Sequence, residues 1–165
     1  MTKNINSVAN VTVQKIKLLW VGIGCTRETS KELIAIAIEE TFKKNQLALS
    51  AIAGIATIDI KASEVGLIQL CHQRNLPLKM FPADVLSSVD VPNSSSIVGL
   101  KMKTSSVAEA AALLAAKCQT LLVPKQIFKS TSDVRIISGT QENFSASTLK
   151  GAVTIAVAQA EKEYI

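Results

Sequence analysis

Two glycines, a cysteine, two threonines and an arginine fall within the ten residues VGIGCTRETS, from Val21 to Ser30. An apolar run from Ile16 to Ile23 leads into them, and a helix start follows. Gly22 and Gly24 can take backbone angles closed to other residues and let a ligand approach the main chain closely. Thr29 and Glu32 have the spacing of a capping box, which starts a helix there with its amide donors facing the glycine turn. Strand, glycine turn and helix N-terminus in that order make an anion site, and Arg27 strengthens it. Gly22, Gly24, Cys25, Thr26 and Arg27 are therefore candidate ligand contacts. The same pattern also describes a tight turn that binds nothing.

Two phosphate motifs fail here. A dinucleotide fingerprint places a third glycine where Arg27 stands, and its ribose-binding acid would fall in Lys43 to Ser50, which contains no Asp or Glu. A Walker-type loop needs Gly-Lys before its Ser/Thr, and Glu28 precedes Thr29. The pattern points to an anionic ligand without a nucleotide signature.

A second group of chemical residues follows the next apolar run. Asp59, Lys61 and Glu64 stand at a strand end and a helix start. Lys61 suits carboxylate binding with Glu64 holding it, or the two form a proton-transfer pair; a local ion pair is the blander reading. Asp59 and Glu64 are the candidates for a water-activating base. Cys25 is a candidate nucleophile if a helix N-terminus and Arg27 lower its thiol pKa, although no histidine can be placed beside it. Glu109 reads as a capping-box residue, and Lys125, after Pro124, as a lysine at the same sheet edge or a solvated one.

No metal site is expected. Cys25, Cys71 and Cys118 are odd in number and dispersed, and the single histidine, His72, adjoins Cys71 on a helix where neighbours point about 100° apart. No apolar run approaches the roughly 18 residues of a membrane span. The N-terminus lacks a signal-peptide core, so a cytoplasmic protein is expected. The net charge of +5 is scattered rather than clustered, and no basic stripe interleaves with aromatics, so nucleic acid is not an expected partner. Such a charge fits a ligand with several carboxylates or phosphates, and it also serves solubility.

The elements that must position these residues alternate. Residues 1–14 read as a weakly ordered tail and 15–165 as one domain. After the first strand come an amphipathic helix over Ser30 to Lys44, a buried strand over Leu49 to Ile60 and a helix from Ser63 that Asn75 and Pro77 stop. Leu78 to Phe81 is a short strand, and Pro82 opens a brief helix to Val89. Asp90 to Ser96 is a loop, Ile97 to Leu100 a strand, and Val107 to Lys117 an alanine-rich helix capped by Ser106 and Glu109. Thr120 to Val123 is a strand closed by Pro124. Lys125 to Lys150 is a polar excursion holding one strand at Val134 to Ser138. Lys150-Gly151 is a turn, and Val153 to Ala158 the last strand. The fold class is a single three-layer α/β/α domain with a mixed, mostly parallel sheet, mixed because the last strands follow without a helix between them.

Five segments together, VGIGCTRETS, ATIDIKASEVGL, SSVAEAAALLAA, LLVPKQ and VTIAVA, resemble the CobE family, which corresponds to the C-terminal domain of the CbiG proteins of cobalamin biosynthesis. The likeness runs in order from Ile16 to Ala158. The family's Glu-Pro-Gly-Leu is Glu64-Val65-Gly66-Leu67 here. The resemblance implies work on the corrin ring, whose precursors carry many acetate and propionate groups. It implies binding of a precorrin or cobalt-precorrin intermediate as an accessory or carrier protein, with other corrin-pathway enzymes as further partners. No cofactor is implied, and cobalt enters only inside a bound intermediate. Alternatively it implies a cobalt-precorrin-5A hydrolase that opens a lactone and releases acetaldehyde, alone or with a partner chain. A Rossmann-like nucleotide-binding module is the third reading. The sequence leaves the oligomeric state open.

Overall fold

The computed structural model describes residues 17–61, 64–89, 103–130 and 149–161. Strand β1 (Leu19–Cys25), helix α1 (Lys31–Lys44) and strand β2 (Ile52–Ile58) come first, and a 3-10 turn over Asp59–Lys61 leads to helix α2 (Val65–Gln73). Strand β3 (Leu78–Phe81), helices α3 (Ala83–Ser87) and α4 (Lys103–Ala116), and strands β4 (Leu121–Lys129) and β5 (Ala152–Gln159) complete them.

The sheet order is β3-β2-β1-β5-β4. Strand β1 takes the centre, as its apolar run predicts. It pairs in parallel with β2, which pairs in parallel with β3. Strand β5 is antiparallel to both β1 and β4. Four strands thus run one way and β5 runs against them, the mixed sheet expected from the absence of a helix before the last strand. The ends of β1, β2 and β4 and the start of β5 share one edge.

The odd residues of β1 (Val21, Ile23) face α1 and α2 through Leu33, Ile34, Ile38, Phe42, Leu67 and Leu70. On the other face, α3 and α4 cover Ala56, Ile58 and Ala158 with Leu86 and the alanines of α4. These are the three layers. A Cβ on Gly22 would overlap the carbonyl of Ala108, so this glycine lets α4 lie against the middle of β1. Gly22 and Gly24 are ordinary strand residues with no left-handed backbone, contrary to the turn role expected of them. Gly24 is buried opposite Thr154.

Four boundaries differ from expectation. Ser30, not Thr29, caps α1: its Oγ accepts the Leu33 N–H at 3.3 Å, while the Thr29 hydroxyl is drawn inward to the carbonyl of Thr26 at 2.7 Å. Leu49 to Ala51 form a 3-10 turn, so β2 starts later. Helix α4 begins at Lys103, which puts Ser106 inside it rather than at its cap. Strand β4 does not close at Pro124 but runs on to Lys129, because a bulge accommodates the proline. Val123 faces Val157 and Gln126 faces Ile155, three steps against two. The N–H of Lys125, turned out of the ladder, donates to Oε2 of the fully buried Glu109 at 3.0 Å. The tail, the Ser63 helix start, the 90–96 loop and the strands at 97–100 and 134–138 lie outside the described residues.

Candidate functional site

The shared strand edge opens because the ladder between β1 and β2 ends at Gly22↔Ala56. Beyond it the carbonyl of Ile23 accepts the hydroxyl of Thr57 at 2.6 Å, so a buried side chain replaces a ladder bond. The chain then turns through Thr26 to Ser30 before α1. The residue with left-handed backbone in this turn is Glu28, at φ 59.

Residues from two distant segments hold the turn. Residues 150–152 form a strap along it. Thr26 N donates to Ala152 O at 3.0 Å, and Ala152 N donates to Thr26 Oγ1 at 3.0 Å. Ser30 N donates to Lys150 O at 2.9 Å, and Lys150 N donates to Ser30 Oγ at 3.0 Å. Gly151 has φ +99, and a Cβ there would overlap the Thr29 side chain. On the opposite side, Glu64 Oε1 accepts the N–H of Glu28 at 2.8 Å. The Glu28 carboxylate accepts from Lys150 Nζ at 3.0 Å, and that bond and charge hold its pKa below the usual value.

Between the turn and the start of α2 lies a cleft of about 590 Å³, lined by Arg27 to Glu32, Glu64, Val65, Gly66 and Gln69. Gly66 permits the approach: a Cβ on it would overlap the Thr29 carbonyl. Both α1 and α2 begin at this cleft. At α2 the N-cap, Glu64, makes no side-chain cap bond, so the first amides of that helix keep their donors. Arg27 and Lys31 bring positive charge, but Glu28, Glu32 and Glu64 share the lining. The cleft is polar and mixed in charge, with its anion-binding capacity in helix amides and Arg27.

The structure brings Cys25, Thr26, Arg27, Lys61 and Glu64 to one edge. Thr26 spends its hydroxyl on the strap. Cys25 is buried behind the turn, and burial pushes its thiol pKa up against the opposing pull of the nearby Lys61 ammonium. That corrects the expectation of an activated thiolate. Lys61 is buried at the end of its 3-10 turn. Asp59 is exposed and outside the cleft lining. Glu109 and Lys125 meet beneath the β4 bulge on the α4 side of the sheet and do not line the cleft. Sequence reasoning reads Lys150-Gly151 as a turn but misses that it meets Glu28 and Thr29 here, because nothing local marks a contact across more than a hundred residues.

A smaller groove of about 300 Å³ lies at the opposite end of the sheet, lined by residues including Leu18, Trp20, Lys79 and Lys117. Lys79 Nζ sits 4.7 Å from the centre of the Trp20 ring. Among the described residues no group of three His, Cys, Asp or Glu could hold a metal ion, and no helix is long and apolar enough to cross a membrane.

Residues 19–158 match the family model described as "Cobalamin synthesis G C-terminus". The "Cobalt-precorrin-5A hydrolase" of Priestia megaterium is 29% identical over 129 residues, which is 78% of this chain and 34% of that protein. A protein of the same name from Salmonella typhimurium is 35% identical over 65 residues, 39% of this chain and 18% of that one. The chain thus matches about a third or less of the length of these curated relatives. Among solved structures, CobE, a protein from the cobalamin biosynthetic pathway, is 28% identical with a TM-score of 0.62, covering 89% of this chain and 93% of that one. A cobalamin biosynthesis protein G homolog from Sulfolobus solfataricus shares the fold at 22% identity and a TM-score of 0.58, over 88% of this chain and 37% of that one.

Proposed function

The chain belongs to the family of cobalamin synthesis G C-terminal domains and serves cobalamin biosynthesis, and from that premise we propose that it binds a precorrin or cobalt-precorrin intermediate as an accessory or carrier protein. The observation that carries the reading is the cleft at the strand edge, where the starts of α1 and α2 converge beside Arg27. Carboxylates favour helix N-termini and guanidinium groups. Ile60 and Val65, 72% and 63% exposed at the same edge, offer apolar surface to the face of a macrocycle. A ligand that is apolar across its face and anionic around its rim matches both features. In this reading the bound intermediate is handed on to other enzymes of the pathway, and an open cleft that holds no activated nucleophile among the described residues suits that role.

A second reading rests on the curated relatives, both named cobalt-precorrin-5A hydrolases. In it Glu64, which lines the cleft, activates water for lactone opening. Its Oε1 is engaged by Glu28, which leaves Oε2 for the water. The longer relatives carry chain that this sequence does not match, and this reading takes the activity as that of this chain alone or with a partner chain.

Incubating the purified protein with a series of precorrin and cobalt-precorrin intermediates separates the two. A saturable change in visible absorbance without acetaldehyde supports binding alone. Trapped acetaldehyde supports the hydrolase, and no spectral response to any intermediate sinks both.

A further inference from the structure

The chain enters the sheet at Leu18 and leaves it at Ala160, side by side at the edge opposite the cleft. Ala160 N donates to Leu18 O at 2.8 Å, one step beyond the Leu19↔Gln159 pair of the ladder. These two residues line the groove of about 300 Å³ together with Trp20, Lys79, Lys117 and Glu161. Trp20, the single tryptophan of the chain, lies across Gly54 of β2, where a Cβ would overlap its ring. It packs against the alanine-rich face of α4 and stays only partly buried, with Lys79 Nζ 4.7 Å from its ring centre. Lys117, exposed at the end of α4, brings a second ammonium group, and Glu161 a carboxylate.

The family model spans 19–158 in one run, so the chain that the longer relatives carry beyond it joins the shared fold where β1 begins or β5 ends. Both points lie at the rim of this groove, and the length of β1 separates them from the cleft. A half-buried tryptophan walled by alanines, with charges around its rim, is the kind of anchor at which protein surfaces meet. The mixed charge suits a protein surface better than a lone small anion. Residues 1–16 of this chain carry Lys3 and Lys15 and no acid, so they do not offer the complement of Lys79 and Lys117.

We propose that the Trp20 groove is a protein-docking surface, and that its occupant is a partner chain equivalent to the part of the longer relatives that this sequence does not match. That partner places an apolar side chain against Trp20, carboxylates over Lys79 and Lys117, and a cation towards Glu161. The opposite charges steer the encounter and fix its register, while the desolvated indole holds it. Because the surface lies at the far end of β1, the docked partner leaves the cleft open, and the two sites fill independently. Docking here does not depend on whether the cleft holds a corrinoid.

The probe is the part of the Priestia megaterium hydrolase that this chain does not match, made as a separate chain. With fluorotryptophan at Trp20, the full chain gives a single fluorine resonance that reports the groove. Adding the probe should move that resonance saturably. Lys79→Glu with Lys117→Glu should weaken the association about tenfold or more and melt with wild type, since both side chains are exposed. Arg27→Glu with Lys31→Glu, an equal change of charge at the cleft, should leave the association unchanged. A cobalt corrinoid should bind with the same affinity whether or not the probe is present. A second format exchanges this chain for the matched third inside the whole hydrolase. There the Trp20 resonance, identified by its loss in Trp20→Phe, should sit where the bound probe puts it. No movement in either format overturns the proposal. So does a groove reversal that weakens association no more than the cleft reversal, or a probe that displaces the corrinoid. A chain that docks the probe and gives no response to any corrinoid contradicts the corrinoid reading and leaves the docking surface standing.

Discussion

Glu64 holds the backbone of Glu28: its Oε1 accepts the Glu28 N–H at 2.8 Å, 36 residues away in sequence. Glu28 is the left-handed residue of the β1–α1 turn, and a non-glycine residue resists that conformation unless its neighbours impose it. The carboxylate of α2 and the 150–152 strap impose it together. Replacing Glu64 by alanine should cost about 1 kcal/mol and speed amide exchange from Arg27 to Ser30. Glu64→Gln keeps an acceptor at that place and should retain most of the protection. Equal exchange in wild type and Glu64→Ala would show that the strap suffices.

Gly22 is a packing residue, and its substitution tests that directly. A methyl group there meets the Ala108 carbonyl, which is backbone and cannot swing aside. Gly22→Ala should lose about 3 kcal/mol or fail to fold, since α4 must move off the sheet. A thermal melt within a degree or two of wild type would contradict the close contact of α4 with β1.

The turn, β1 at the centre of the sheet, α1, β3 and β5 are all legible in the sequence, because local signals specify them. The apolar run before Gly24, the 3.6-residue stripe of Leu33, Ile34, Ala37 and Ile38, and the turn at Gly151 need no tertiary context. The misread features depend on contacts between distant segments. Ser30 and Thr29 are equally good caps by type, and the strap decides between them by engaging both hydroxyls. Pro124 reads as a strand terminator, yet the Glu109 carboxylate takes up the backbone N–H that the bulge displaces, and β4 continues. Cys25 reads as an activated thiol from its neighbours in sequence, but its burial outweighs them. The candidate site was legible as an edge and a set of residues. Its cleft was not, because Gly66 and Gln69 enter it from α2, and the strap at 150–152 holds the turn that lines it from far along the chain.

Glu109 should therefore prove structural. Glu109→Ala removes the acceptor of the Lys125 N–H from a fully buried position, at a cost of about 1–3 kcal/mol. Glu109→Gln preserves an acceptor and should cost less. Corrinoid affinity should be unchanged in any variant that folds, and a selective loss of affinity would place Glu109 in the site after all.

Burial raises the Cys71 thiol pKa from its ordinary 9.0 to about 11, and it raises Cys25 in the same direction. The folded state then holds a proton that the unfolded state releases. The stability due to this is fully present below pH 9 and is lost as pH climbs towards 11. Cys71→Ala should flatten that alkaline decline relative to wild type in denaturant titrations. At neutral pH, iodoacetamide should modify the partly exposed Cys118 well before the buried Cys25 and Cys71. Rapid modification of Cys25 would reopen the case for a nucleophile.

The central claim is that the cleft between the β1–α1 turn and α2 binds the corrin precursor. Amide hydrogen exchange with and without a saturating cobalt-precorrin measures this at every segment. Protection should concentrate in Thr26 to Glu32 and in Glu64 to Gln69, where the two helix starts line the cleft. Protection confined to Leu18, Trp20, Lys79 and Lys117, around the groove at the opposite end of the sheet, would contradict it.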